Sequence, residues 1–195
     1  PQPDAFGTLA GRTQAAVSDE TDAVPYQVGA YRFFPDCGLY VLIGCKEQRQ
    51  LDYCAELFTV LGLSGIGGKT SVGYGRFTVE EQIRLDDSDD SQLVFLQHAL
   101  ADASAPYQLL LTTSLPRDDE LEQTMQHAQY RLIRRSGFIQ SNTFNAEPFK
   151  KQTQYYFAAG ATCTQRYQGD LYTVAESGNH PVYRYSKPMF LGVKA

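Results

Sequence analysis

Apolar residues recur at helical spacing in some stretches of this chain and alternate or run together in others, and these rhythms predict its elements. Leu51, Cys54, Ala55, Phe58 and Leu61 fall on one face of a helix over 47–61, with Gly62 as its stop. Leu93, Leu96 and Leu100 predict a short helix over 91–101, and residues 118–129 a third, with Asp118 at its acidic start. Alternation over 26–34 predicts a strand, the turn Pro35-Asp36-Cys37-Gly38 follows, and the apolar run Leu39 to Ile43 predicts a buried strand. Further strands are expected over 76–85, 107–113 (closed by Leu115-Pro116), 130–135, 153–160, 170–174 and 189–193. Residues 1–25, rich in Pro, Ala, Thr and Asp without periodicity, read as an exposed lead-in segment ahead of a domain over 26–195. The order of strands and helices is that of an α+β protein, and a ferredoxin-like core with a β-rich C-terminal extension fits it.

Candidate chemistry concentrates in residues 64–76. Gly65, Gly67, Gly68, Gly73 and Gly75 sit there with Lys69, Arg76, Thr70, Ser71 and Tyr74, and no acid interrupts them. Glycine admits positive φ and lets backbone N–H groups approach a ligand unobstructed. Such groups beside Lys, Arg and Ser suit phosphate oxygens, and Tyr74 offers a face for base stacking. A nucleotide P-loop would need a strand, Gly-x-x-x-x-Gly-Lys-Ser/Thr, then a helix. Gly68-Lys69-Thr70 supplies the end of that motif, but Leu63 stands at the first glycine position and the flanking elements come in reverse order. A glycine-rich turn with a structural job alone is the other alternative.

A helix, then Gly65 to Phe77 (GIGGKTSVGYGRF), then a strand, resembles the glycine-rich signature of the RAMP superfamily of CRISPR RNA-binding proteins. Tyr130 to Gly137 (YRLIRRSG) is similar to that family's strand ending in Lys/Arg-Arg-Gly-Gly, with Ser136 in place of one glycine. Tyr155 to Ala161 (YYFAAGA) resembles its apolar strand closed by Gly-Ser. Gly169-Asp170-Leu171 and His180 to Tyr185 (HPVYRY) resemble its C-terminal element, with Ser186 where glycine is usual. Together these segments are similar to the C-terminal portion of the fourth-subunit family of type III-A (Csm) complexes. The resemblance implies a non-catalytic, cytoplasmic subunit that grips the 5′ tag of the crRNA. It also implies assembly with a large polymerase-cyclase-like subunit and a repeated backbone subunit. RNA-binding roles would fall to the glycine loop, Arg134, Arg135, His180, Tyr183, Arg184 and Tyr185. The alternative within the superfamily is a metal-independent pre-crRNA-processing endoribonuclease, which would use His as general acid or base.

Composition qualifies this picture only locally. The net charge is −5, but residues 1–130 carry −11 and residues 131–195 carry +6. Charges act within a Debye length of about 8–10 Å, so a basic face survives an acidic remainder. Asp86 to Asp90 reads as a solvated loop that lacks the glycine and distal glutamate of a calcium site. Cys37, Cys45, Cys54 and Cys163 form no C-x-x-C pair, which suits reduced thiols; neither metal nor cofactor is expected. No apolar run reaches membrane-spanning length. His98 and His127 read as structural or solvated, whereas His180 sits among Asn179, Tyr183, Arg184, Tyr185 and Lys187. Tyr107, Tyr155 and Tyr156 are expected in the core, and Tyr74, Tyr183 and Tyr185 against bases.

Overall fold

The computed structural model describes residues 5–18, 21–139, 141, 143–145 and 147–194. They fall into two compact units, Pro1–Gln82 and Ile83–Ala195, where the sequence suggested one domain over 26–195. Among the described residues the architecture is mixed α/β, with three α-helices and four small antiparallel sheets.

The first unit begins with a long hairpin of β1 (Gly7–Ser18) and β2 (Thr21–Phe33), paired from Gly7↔Phe33 to Ala16↔Val24. This corrects the lead-in reading of residues 1–25. Leu9 is 78% exposed, and with neither hairpin face buried nothing imposes the apolar/polar alternation that reveals a strand. Side chains tie the two strands across the ladder: Tyr26 Oη donates to Gln14 Oε1 at 2.8 Å and Gln27 Nε2 to Thr13 Oγ1 at 2.8 Å. Phe6, Tyr31 and Phe33 cluster at the open end, with ring centroids 5.3–5.9 Å apart. The turn after β2 forms as expected, with Asp36 at φ 62° and Cys37 N–H donating to Phe34 O.

Residues 39–43 and 76–84 are not strands, which corrects both expectations. The apolar run of 39–43 and the β-branched and aromatic residues of 76–84 favour a pleated, half-buried surface, but neither segment pairs with a described strand. Between them runs α1 (Gln48–Ser64), which continues past the expected stop. Gly62 lies inside the helix, buried, where a Cβ would collide with the Phe77 carbonyl oxygen. It is a close-approach glycine. Gly65, at φ 82°, ends the helix and donates its N–H to Leu61 O at 2.7 Å.

The second unit contains α2 (Ser91–Ala101), β3 (Tyr107–Leu110), α3 (Asp118–Met125), β4 (Leu132–Arg135), β5 (Gln154–Phe157), β6 (Thr162–Cys163), β7 (Leu171–Ala175), β8 (Val182–Tyr185) and β9 (Phe190–Val193). The strands β6-β3-β9 form one antiparallel sheet, while β4–β5 and β7–β8 pair separately. Leu110, Phe157, Ala161, Cys163, Tyr167 and Phe190 make the core. The expected elements are mostly present but shorter, and β6 and β8 are additions.

The acidic run has local structural work. Asp86 and Asp87 pair with Arg84, and Asp90 caps α2 by accepting from Gln92 and Leu93 N–H. At the start of α3 the Glu120 carboxylate reaches back to accept the Arg117 N–H at 2.9 Å and pairs with the Arg117 guanidinium at 3.1 Å. The Arg166 guanidinium closes the other end of α2, donating to the Leu100 and Asp102 carbonyls and to Gln108 Oε1.

Candidate nucleic-acid interface

The glycine loop follows directly from the end of α1. Gly65, Gly67, Gly73 and Gly75 all take positive φ, and so does Lys69, at 62°. Gly68 does not, and a Cβ built on it meets nothing within 4 Å. At Gly75 a Cβ would collide with the Ile66 carbonyl. The loop is closed from within. Ile66 N–H donates to Gly75 O (2.9 Å), Val72 and Tyr74 N–H to Lys69 O (3.1 and 3.2 Å), and Gly73 N–H to Thr70 O (2.9 Å). Those four amides are therefore committed to the loop rather than open to phosphate, which narrows the expected cradle to its rim. Gly67 and Gly68 lie on that rim with open space above them.

Lys69 leans onto the hairpin instead of standing free. Its Nζ donates to Tyr26 Oη at 3.0 Å and lies 5.1 Å from that ring's centroid. Arg76 is exposed, and Tyr74 is half-buried beside the hairpin. There Tyr74, Ala10, Gly11, Arg12, Ala30, Tyr31 and Arg32 line a cleft of about 470 Å³. The register explains its chemistry. Pairing of Thr8 with Arg32, Ala10 with Ala30 and Arg12 with Val28 sets small residues between two arginines on one face. No acid lines the cleft. Arg12 and Arg32 were missed by sequence reasoning. Their signal, alternate positions on two strands, exists only once the hairpin's register is known.

The remaining expected residues lie in the second unit. Arg134 pairs across the β4–β5 ladder with Tyr155, and both are exposed. Tyr155 and Tyr107 are thus surface residues (57% and 41% exposed) rather than core, whereas Tyr156 is buried as expected. On β8, Tyr183 and Tyr185 share an outer face with Leu171, and they are 60% and 70% exposed. Arg184 points the opposite way. Its Nη1 donates to the Arg135 carbonyl at 3.2 Å and its Cζ lies 5.9 Å from the Tyr156 ring centroid. It is a strut between hairpins, not an open cation. Ser186 is fully buried and donates to Tyr156 Oη at 2.9 Å, so its hydroxyl is used where glycine is usual.

His180 is also held by structure. Nε2 lies 3.0 Å from Ser141 Oγ and 3.4 Å from Thr143 Oγ1, Nδ1 lies 3.1 Å from the Pro181 carbonyl, and the ring meets Phe144 edge-on. A carbonyl accepts only, so Nδ1 is the donor toward Pro181, while Nε2 faces the Ser141 and Thr143 hydroxyls, which also bond each other at 2.9 Å. His98 and His127 are exposed, with His127 at φ 60°. Among the described residues no group of three or more His, Cys, Asp or Glu is placed to hold a metal, and no helix is long and apolar enough to cross a membrane. The four cysteines are free thiols.

Residues 103–193 match the model of the CRISPR Csm4 C-terminal domain. The chain is 38% identical over 189 residues to the CRISPR system Cms protein Csm4 of Mycobacterium tuberculosis strain H37Rv, covering 96% of this chain and 58% of that protein. It is 36% identical over 167 residues to the protein of the same name from Streptococcus thermophilus, covering 85% of this chain and 51% of that protein. The chain thus spans a little over half the length of the curated relatives it matches.

Proposed function

We propose that this chain, which by these matches belongs to the Csm4 family, is a non-catalytic crRNA-binding portion of a type III-A CRISPR effector subunit in the cytoplasm. The observation that carries this reading is the cleft beside the glycine loop, where Arg12 and Arg32 flank small residues and Tyr74 supplies an aromatic face. Arginine on phosphate and tyrosine on a base is the pairing that grips single-stranded RNA with little regard to sequence. In the second unit Arg134, Tyr155, Tyr183 and Tyr185 offer a similar mixture on exposed strands. The RNA is the 5′ tag of the crRNA. The large polymerase-cyclase-like subunit and the repeated backbone subunit are the partners, and a ferredoxin-like RAMP core is the architecture proposed with them.

The engagement of both His180 nitrogens supports binding over cleavage. The deciding experiment reconstitutes the complex with repeat-derived RNA and analyses the RNA it retains. A defined crRNA should copurify, its length should be unchanged by His180→Ala, and its retention should fall with Tyr74→Ala and Tyr183→Ala. A general acid or base would lose about 10²–10⁴-fold in cleavage rate on substitution. Metal-independent cleavage by the wild type that vanishes in His180→Ala would establish an endoribonuclease instead.

A further inference from the structure

The glycine loop rests on one face of the β1–β2 hairpin. Gln14↔Tyr26, Arg12↔Val28, Ala10↔Ala30 and Thr8↔Arg32 are directly opposite pairs at alternate positions, so their side chains share that face. The loop meets the face at two places: Lys69 on Tyr26 at one end, and Tyr74 in the cleft with Arg12 and Arg32 farther along. A single residue joins the two contacts. Lys69 Nζ donates to Tyr26 Oη at 3.0 Å and lies 5.1 Å from the ring centroid, while the Lys69 carbonyl accepts the Tyr74 N–H at 3.2 Å.

Tyr26 is itself fixed. Its hydroxyl donates to Gln14 Oε1 at 2.8 Å, which leaves the oxygen lone pairs for the ammonium. Among the described residues Lys69 pairs with no carboxylate. Its backbone is left-handed, at φ 62° and ψ 27°, a conformation that is costly for a residue with a Cβ and free for glycine. Glycine is abundant on both sides of this position, yet the strained slot holds lysine, whose side chain reaches Tyr26. Strain of this kind persists where the surroundings hold a residue from both ends, and it clusters at ligand clamps.

We propose that Tyr26 is a positioning residue of the RNA site: through Lys69 it holds the glycine loop on the hairpin, so that the Tyr74 ring stands beside Arg12 and Arg32. The inference rests on the RNA reading of that cleft and deepens it. Arg12 and Arg32 take phosphates and Tyr74 takes a base, whereas Tyr26 and Lys69 set the spacing between them and touch no RNA. A ring held in place before binding loses less freedom when the base arrives, and that saving appears as affinity. Lys69 as a direct phosphate contact would behave differently, because losing it would lower the salt slope of log affinity by about 0.7. Losing a tether leaves the slope alone.

The test titrates the chain with a single-stranded RNA that carries a fluorescent purine analogue, whose emission falls when it stacks on Tyr74. Tyr26→Ala and Lys69→Met should each weaken binding by about five- to hundredfold, the worth of one base–aromatic stack. Both should lose the quench and keep the wild-type salt slope. Adding Tyr74→Ala to either should cost no more than about a further twofold, since the ring is already displaced. Lys69→Arg, which still donates to Tyr26 and stacks on its ring, should restore affinity and quench. Without RNA, exchange of the Tyr74 amide should quicken in Tyr26→Ala and Lys69→Met while the hairpin ladder stays protected. A wild type with no affinity for the RNA overturns the RNA reading of the cleft and Tyr26's role with it. RNA binding in which Tyr26→Ala and Lys69→Met keep affinity and quench overturns the positioning role alone. So does a slope lowered by about 0.7 in Lys69→Met, which would make Lys69 a phosphate contact.

Discussion

Replacing Arg12 and Arg32 by alanine removes the two cations of the cleft beside Tyr74. Both side chains are exposed, so the fold is expected to be unaffected. If each arginine neutralises one phosphate of a single strand, each contributes about 0.7 to the slope of log affinity against log salt. Together they contribute about 1.4. Over the fourfold range from about 50 to 200 mM salt, the double variant should therefore lose about sevenfold less affinity than the wild type. Fluorescence anisotropy with a labelled single-stranded RNA across that range measures the slope directly. Arg84→Gln is the control, because Arg84 already pairs with Asp86 and Asp87 and its removal should leave the slope alone. Equal slopes for wild type and the double variant, with the hairpin shown intact by circular dichroism, would refute the assignment of the cleft to RNA.

Arg184→Ala should leave that slope unchanged and lower Tm instead, because Arg184 braces Arg135 and Tyr156; thermal melts alongside the anisotropy series separate the two. Gly73→Ala should destabilise the loop by about 1–2 kcal/mol through its positive φ. Gly68→Ala, at ordinary φ with open space, should change stability by no more than about 0.5 kcal/mol, and equal effects in denaturant titrations would contradict the loop geometry. Glu120 is pushed up by partial burial, but the amides of Arg117, Gln168 and Gly169 and the Arg117 guanidinium bring it below the ordinary glutamate value. Its contribution is therefore complete above the unfolded value of about 4.3 and is lost as pH falls through the lower folded value. Glu120→Gln should lower Tm at neutral pH and flatten its decline on the acid side, as calorimetry over a pH series would record.

The helices were legible because their signals are local. Periodic leucines and the acidic start at Asp118 act within a few residues, and α1, α2 and α3 all formed. The glycine loop was legible for the same reason, since positive φ at Gly65, Gly67, Gly73 and Gly75 is a property of single residues. Strands behaved differently. Residues 39–43 and 76–84 have strand composition but no ladder, and residues 7–18 have little strand pattern yet form one. A strand exists only with a partner, and its alternation appears only when one face is buried.

The candidate site divides along the same line. The sequence by itself determined which segments carry cations, glycines and tyrosines, because composition and short motifs need no folding to be read. Tertiary structure alone decided their use. Hairpin register brought Arg12 and Arg32 to one cleft with Tyr74, while strand alternation on β8 turned Arg184 inward and left Tyr183 and Tyr185 outside. Partners distant in sequence engaged Nε2 of His180 and drew Lys69 onto Tyr26. The physical reason is range: torsional preference and capping act over a turn of chain, whereas register, burial and the pairing of a charge depend on residues dozens of positions away.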